Sequence, residues 1–96
     1  MTITTALAIA LAILLVIDWQ QTRTIAKNPD KWRELNPLLG AHPSLRLVNG
    51  YFALVLAGLA AAVRFVPEDI LLVGLAICTP VEALVVARNW RKGIRP

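Results

Sequence analysis

The sequence predicts an all-α integral membrane protein with three transmembrane helices, over about 2–19, 45–65 and 68–88. Three observations lead there. Hydrophobic residues make up 57 % of the 96 and charged residues only 17 %, against roughly 25 % charged in soluble domains. The charges are gathered into a few segments, leaving three long blocks with almost none. That is the composition of bilayer-crossing segments rather than of a packed soluble core. Finally, the basic residues fall unevenly on the segments that flank those blocks. A chain of this length makes one domain. Residues 1–96 therefore read as a single three-span domain, with a polar loop over 20–44 and a basic tail over 89–96.

The first apolar block runs from Thr2 to Ile17. At ~1.5 Å per residue it covers roughly 24 Å, a little short of a ~30 Å hydrocarbon layer. Trp19 follows at the boundary, where tryptophan collects in membrane proteins. No Lys or Arg precedes the block, and its Ala-x-Ala triplets lie inside the apolar run. A cleaved signal peptide is therefore not expected. The helix is expected to continue past the membrane to near Lys27, because Asn28 precedes Pro29 and that position disfavours helical dihedrals.

The polar stretch from Asp18 to Arg46 holds Arg23, Lys27, Lys31, Arg33 and Arg46, and Pro29, Pro37 and Pro43. Asp30 is placed to cap a short interfacial helix over 31–35, with Trp32 and Leu35 resting on the bilayer surface. Asn36-Pro37, Gly40 and His42-Pro43 mark irregular chain beyond it.

Ser44 is the expected N-cap of the second span, which runs from Leu47 to Val63 and is interrupted only by Asn49 and Gly50. A tight connection, Arg64 to Asp69, leads to the third span. Pro67 suits the start of a helix, where its missing donor costs nothing. Glu68 and Asp69 match the positive end of the helix dipole. The third span contains Pro80, expected as a tolerated kink, Cys78, expected as a small buried apolar residue, and one ionisable residue, Glu82.

Counting Lys and Arg gives five in the first loop, four after Ala87, one in the tight connection and none before the first span. The positive-inside rule then sets the N-terminus outside and the C-terminus inside. The net charge of +4 lies beside apolar runs, so anionic lipid headgroups are expected as partners rather than nucleic acid. A membrane-protein partner and further copies of the chain are the other expected partners.

Glu82 is the residue most suggestive of a role. A carboxylate inside a span costs roughly 2.5–3.5 kcal/mol on insertion scales, so its presence needs a reason. It lies about 9 Å inside the boundary marked by Arg88. Asn49 is similarly shallow in the second span, and Asp18 closes the first. One polar cluster of Asp18, Asn49, Glu82 and Arg46 is expected there, with Thr22 nearby. It serves helix–helix hydrogen bonding, self-assembly, or an ion or proton path.

His42 is the one histidine, and no spacing fits a metal site. There is no nucleophile elbow, zinc-protease motif or phosphate loop. Neither catalytic activity nor a cofactor is expected. Small-xxx-small pairs, Ala8/Ala12, Ala53/Ala57 and Gly58/Ala62, allow close helix approach within the chain or between copies.

Asp18-Trp19-Gln20-Gln21-Thr22, followed by Glu34-Leu35-Asn36-Pro37-Leu38-Leu39-Gly40 and His42-Pro43-Ser44, resembles a group of uncharacterised small bacterial and phage membrane proteins. These carry a D…QT segment, then E-x-N-P-[IL]-[LM]-G and H-P-S, then two further spans. The likeness covers about residues 15–52. It implies a three-span bacterial inner-membrane protein and no particular activity. Its loop motif comprises Thr22, Glu34, Asn36, Pro37, Gly40, His42 and Pro43, with Asn36-Pro37 and Gly40 fixing a bend. In size and topology alone, the chain is also similar to three-span phage holins. Two functions follow as expectations: a non-enzymatic accessory protein docking through its loop, or a holin-type protein that forms lesions by self-assembly.

Overall fold

The computed structural model describes residues 2–96. It contains three helices, α1 (Ile3–Lys27), α2 (Leu45–Phe65) and α3 (Glu68–Arg91). Their 25, 21 and 24 residues give lengths of roughly 31–37 Å, enough for a ~30 Å hydrocarbon layer. All three are also apolar enough to cross a membrane. The molecule measures 43 × 25 × 19 Å, its long axis close to the ~40–45 Å of a bilayer with headgroups.

The helix ends follow local chemistry. The Thr2 side chain accepts from Thr5 N at the start of α1. Asn28, at φ −130° and ψ 63°, ends that helix before Pro29. Ser44 Oγ accepts from Leu47 N at 3.1 Å and caps α2. Pro67 stands immediately before α3, whose first turn holds Glu68 and Asp69. The helix then runs unbroken through Pro80.

α1 is the central element: it packs along both α2 and α3, which scarcely touch each other. Its buried positions Thr4, Leu11, Leu15 and Thr22 recur at seven- and four-residue steps, the seam that keeps one helix face against its neighbours. α2 answers with Val48 and Phe52 and α3 with Leu71 and Leu75, each pair one turn apart. Trp19 stacks on Phe52 with ring centroids 6.1 Å apart, and Tyr51 meets Phe52 edge-on at 5.1 Å. Most of the remaining apolar surface of α2 and α3 faces outward, including Leu54, Ile70, Val73, Ile77 and Leu84. That distribution suits lipid as solvent.

Two expectations are corrected. Residues 31–35 form no interfacial helix. A turn covers 29–31, and the chain is then non-helical to Asn36. Asn28 O accepts both Lys31 N and Trp32 N, at 3.0 and 2.9 Å. Glu34 N instead reaches across to Ala41 O at 2.9 Å. A five-residue helix leaves most of its end groups unpaired, whereas this path pairs the amides of Lys31, Trp32, Glu34, Leu35 and Asn36. Cys78 is exposed rather than buried: it stands about sixty degrees around α3 from Leu75, at the edge of the buried stripe of Leu71, Leu75 and Thr79, where it lines an open groove with Ile77 and Val81. The basic tail over 89–96 folds back on the helices, with Ile94 buried and Thr24 Oγ1 donating to Arg95 O. α3 continues to Arg91, and Gly93 N bonds to Trp90 O and Ile94 N to Asn89 O, both at 3.0 Å. That pair of bonds is a Schellman motif. Gly93 takes the required φ of +92°, and Ile94 is buried.

Candidate functional site

The Glu34–Gly40 segment is built around Asn36. Leu39 N and Gly40 N bond to Asn36 O at 3.1 and 3.2 Å. Asn36 Oδ1 accepts from Leu38 N at 3.0 Å. Asn at the first position of a turn and Pro at the second are what such a turn favours. Gly40 closes it at φ +81°. Glu34 Oε1 accepts from Leu35 N and Asn36 N at 2.9 and 3.0 Å. Asn36 Nδ2 donates to Tyr51 Oη at 3.1 Å, tying the turn to α2. Leu39 and Pro43 are buried, so the loop is folded down onto the helices.

Beneath it lies a cavity of about 250 Å³. α1 contributes Asp18 and Thr22, the loop Glu34 and Asn36, α2 Tyr51, and α3 Glu82 and Arg88. Asp18 and Thr22 face the same way because they are one turn apart, and Thr22 Oγ1 donates to Asp18 Oδ1 at 3.0 Å. The Glu82 side chain meets that of Asp18. Glu34 Oε2 and Glu82 Oε1 are buried without a hydrogen-bond partner in the chain. Buried carboxyl oxygens without partners are costly, so the cavity suits water or another polar guest. Among the described residues, no group of three His, Cys, Asp or Glu side chains is arranged to hold a metal ion.

The residues singled out in the sequence thus divide. Asp18, Thr22, Glu34, Asn36, Pro37 and Glu82 surround one cavity. Asn49 lies outside that lining and accepts from Trp19 Nε1 at 2.9 Å. Arg46 is exposed on the first turn of α2 and His42 is exposed on the loop. Neither lines the cavity.

Other residues at this end were not anticipated. Tyr51 and Arg88 line the cavity, and a tyrosine hydroxyl beside apolar residues is itself a sign that a polar partner is needed. Gln21 is fully buried. Its Nε2 donates to Val86 O at 3.2 Å, and its Oε1 accepts from Asn89 Nδ2 at 3.3 Å. The returning tail adds Thr24 Oγ1 to Arg95 O at 2.9 Å, with the Arg95 guanidinium 4.0 Å above the Trp90 ring.

Fold and composition together define a multi-pass membrane protein of three helices with a folded polar cap at one end. No protein family, curated protein or solved structure matches the chain.

Proposed function

We propose that the chain is a small non-enzymatic accessory protein of a bacterial inner membrane, docking onto a membrane-protein partner through the cap formed by its first loop. The observation that supports this most is the ordering of that loop. Asn36 and Glu34 satisfy its backbone, Tyr51 anchors it, and Leu35 and Leu38 remain 53 % and 76 % exposed on its surface. A loop already held in one shape loses less conformational freedom on binding, and exposed leucines on a polar cap are a natural contact. The proposed orientation follows the basic residues: loop and tail in the cytoplasm, N-terminus and the Val66–Pro67 connection outside.

A holin-type reading has its own support. Gly50, Gly58 and Gly74 have open space where a side chain would point, so these small positions are not used for packing within the chain. Close approach of further copies would use them.

Induced expression in a bacterium, following culture density and membrane potential, separates the two readings. The docking reading predicts steady growth with intact potential. A sudden, timed collapse of potential, with lysis dependent on a co-expressed cell-wall hydrolase, would overturn it in favour of the holin reading.

A further inference from the structure

A second cavity, of about 340 Å³, opens between the end of α1, the loop and the end of α3. Its floor is apolar: Ile25 and Ile94 line it and are each 2 % exposed. Its rim is basic, with Lys31 and Arg33 from the loop, Arg88 from α3 and Lys92 from the residue that follows it. Glu34 is the one acid in the lining, and its Oε1 is already taken by two loop amides. Four cations against a single carboxylate leave an excess of positive charge that attracts an anion of more than one charge or with several acceptor oxygens. The Schellman turn at Gly93 helps to form this wall, since it carries Ile94 back to the floor.

Arg88 also lines a groove on the outer side of α3, walled by Val81, Leu84 and Val85. Leu84 is 72 % exposed there. The basic cavity and the apolar groove therefore meet at one arginine. A free phosphate would use only the first, whereas a lipid uses both.

We propose that this pair of features is a binding site for one anionic glycerophospholipid. The phosphate sits among Lys31, Arg33, Arg88 and Lys92, and an acyl chain lies along Val81, Leu84 and Val85. The site differs from general attraction to a charged leaflet because it holds one headgroup at a defined place. It also explains why Arg88 and Lys92 at the end of α3 and Lys31 and Arg33 on the loop converge although far apart in sequence.

The test uses the full chain in phosphatidylcholine-containing micelles, titrated with phosphatidylglycerol and read by native mass spectrometry. The wild-type chain is expected to retain one phosphatidylglycerol in preference to phosphatidylcholine. At ~1 kcal/mol per cation, Arg88→Gln with Lys92→Gln weakens retention roughly thirtyfold, and Lys31→Gln with Arg33→Gln does the same independently. Lys27→Gln with Arg46→Gln removes equal charge away from the cavity and leaves retention within about twofold by the same reasoning. Circular dichroism is run on each variant to check that helix content is unchanged. Equal loss in all three pairs would show diffuse attraction and overturn the site. Displacement of the lipid by inorganic phosphate at similar concentration would make it a phosphate site and overturn the lipid assignment.

Discussion

The amide pair that joins α1 to α3 gives the sharpest mutational expectation. Gln21 is fully buried and Asn89 is 5 % exposed, and Gln21 also reaches Val86 O. Gln21→Ala removes a donor and an acceptor at once, leaving the Asn89 amide and the Val86 carbonyl without that partner. The net worth of a hydrogen bond is only ~0.5–1.5 kcal/mol. Desolvation of the groups left behind costs more, ~1–3 kcal/mol. We therefore expect a loss of about 2 kcal/mol, a roughly thirtyfold shift in the unfolding equilibrium. Asn89→Ala should cost about the same. Replacing both by leucine keeps the volume and leaves no orphaned amide on either partner, so the double variant should lie within ~1 kcal/mol of wild type. Reversible unfolding in mixed micelles of increasing dodecyl sulfate fraction, followed by tryptophan fluorescence, measures all four stabilities. Single-variant costs below about 0.5 kcal/mol, or a double leucine variant whose loss is the sum of the singles, would refute the reasoning.

Other expectations are more local. Tyr51→Phe removes the acceptor for Asn36 Nδ2 and should cost ~1 kcal/mol, seen as an about fivefold faster hydrogen exchange at Leu39 and Gly40 with the helices unchanged. Gly93→Ala forces a side chain to φ +92°, about 1 kcal/mol of backbone strain. A new methyl group would stand 3.9 Å from the Trp32 ring, an ordinary van der Waals contact, so the loss comes from the backbone alone and should appear as exposure of the tail to protease rather than as global unfolding. Cys78 is exposed within the apolar length of α3, so in intact bilayers it should resist charged, water-soluble thiol reagents and react once the bilayer is dissolved. Rapid labelling in the bilayer would place that side of α3 in water. Reporter fusions after Pro96 should be active in the cytoplasm and fusions at Pro67 outside, and the reverse pattern would invert the proposed orientation.

The spans are legible in the sequence because hydropathy and punctuation act locally. Asn28-Pro29, Ser44 and Pro67-Glu68-Asp69 each impose their helix boundary through their own dihedrals and hydrogen bonds. The convergence of Asp18, Thr22 and Glu82 is legible too, since depth along three helices of known direction brings equal depths together. Rotation about each helix axis is not. Asn49 stands at the expected depth, but its amide reaches Trp19, and Arg46 points to the exterior. The interfacial helix fails for a related reason. Asp30 and Trp32-Leu35 offer a capped amphipathic turn, but the competing pairing of Glu34 with Ala41 and of Asn36 with Tyr51 is nonlocal. The tail does carry a local signal: Lys92-Gly93-Ile94, a glycine followed by an apolar residue after a long helix, is the pattern of a Schellman stop.

Docking through the loop cap is tested most directly by photo-crosslinking in living bacteria. A photoreactive residue would replace Leu38 on the cap and, in a second strain, Leu54 on the outward face of α2, 76 % and 75 % exposed respectively. We expect discrete adducts with a different protein from position 38, lost when Asn36→Ala loosens the turn, and no such adducts from position 54. Adducts of the chain with itself from position 54, and none from position 38, would contradict docking through the loop and point to self-assembly.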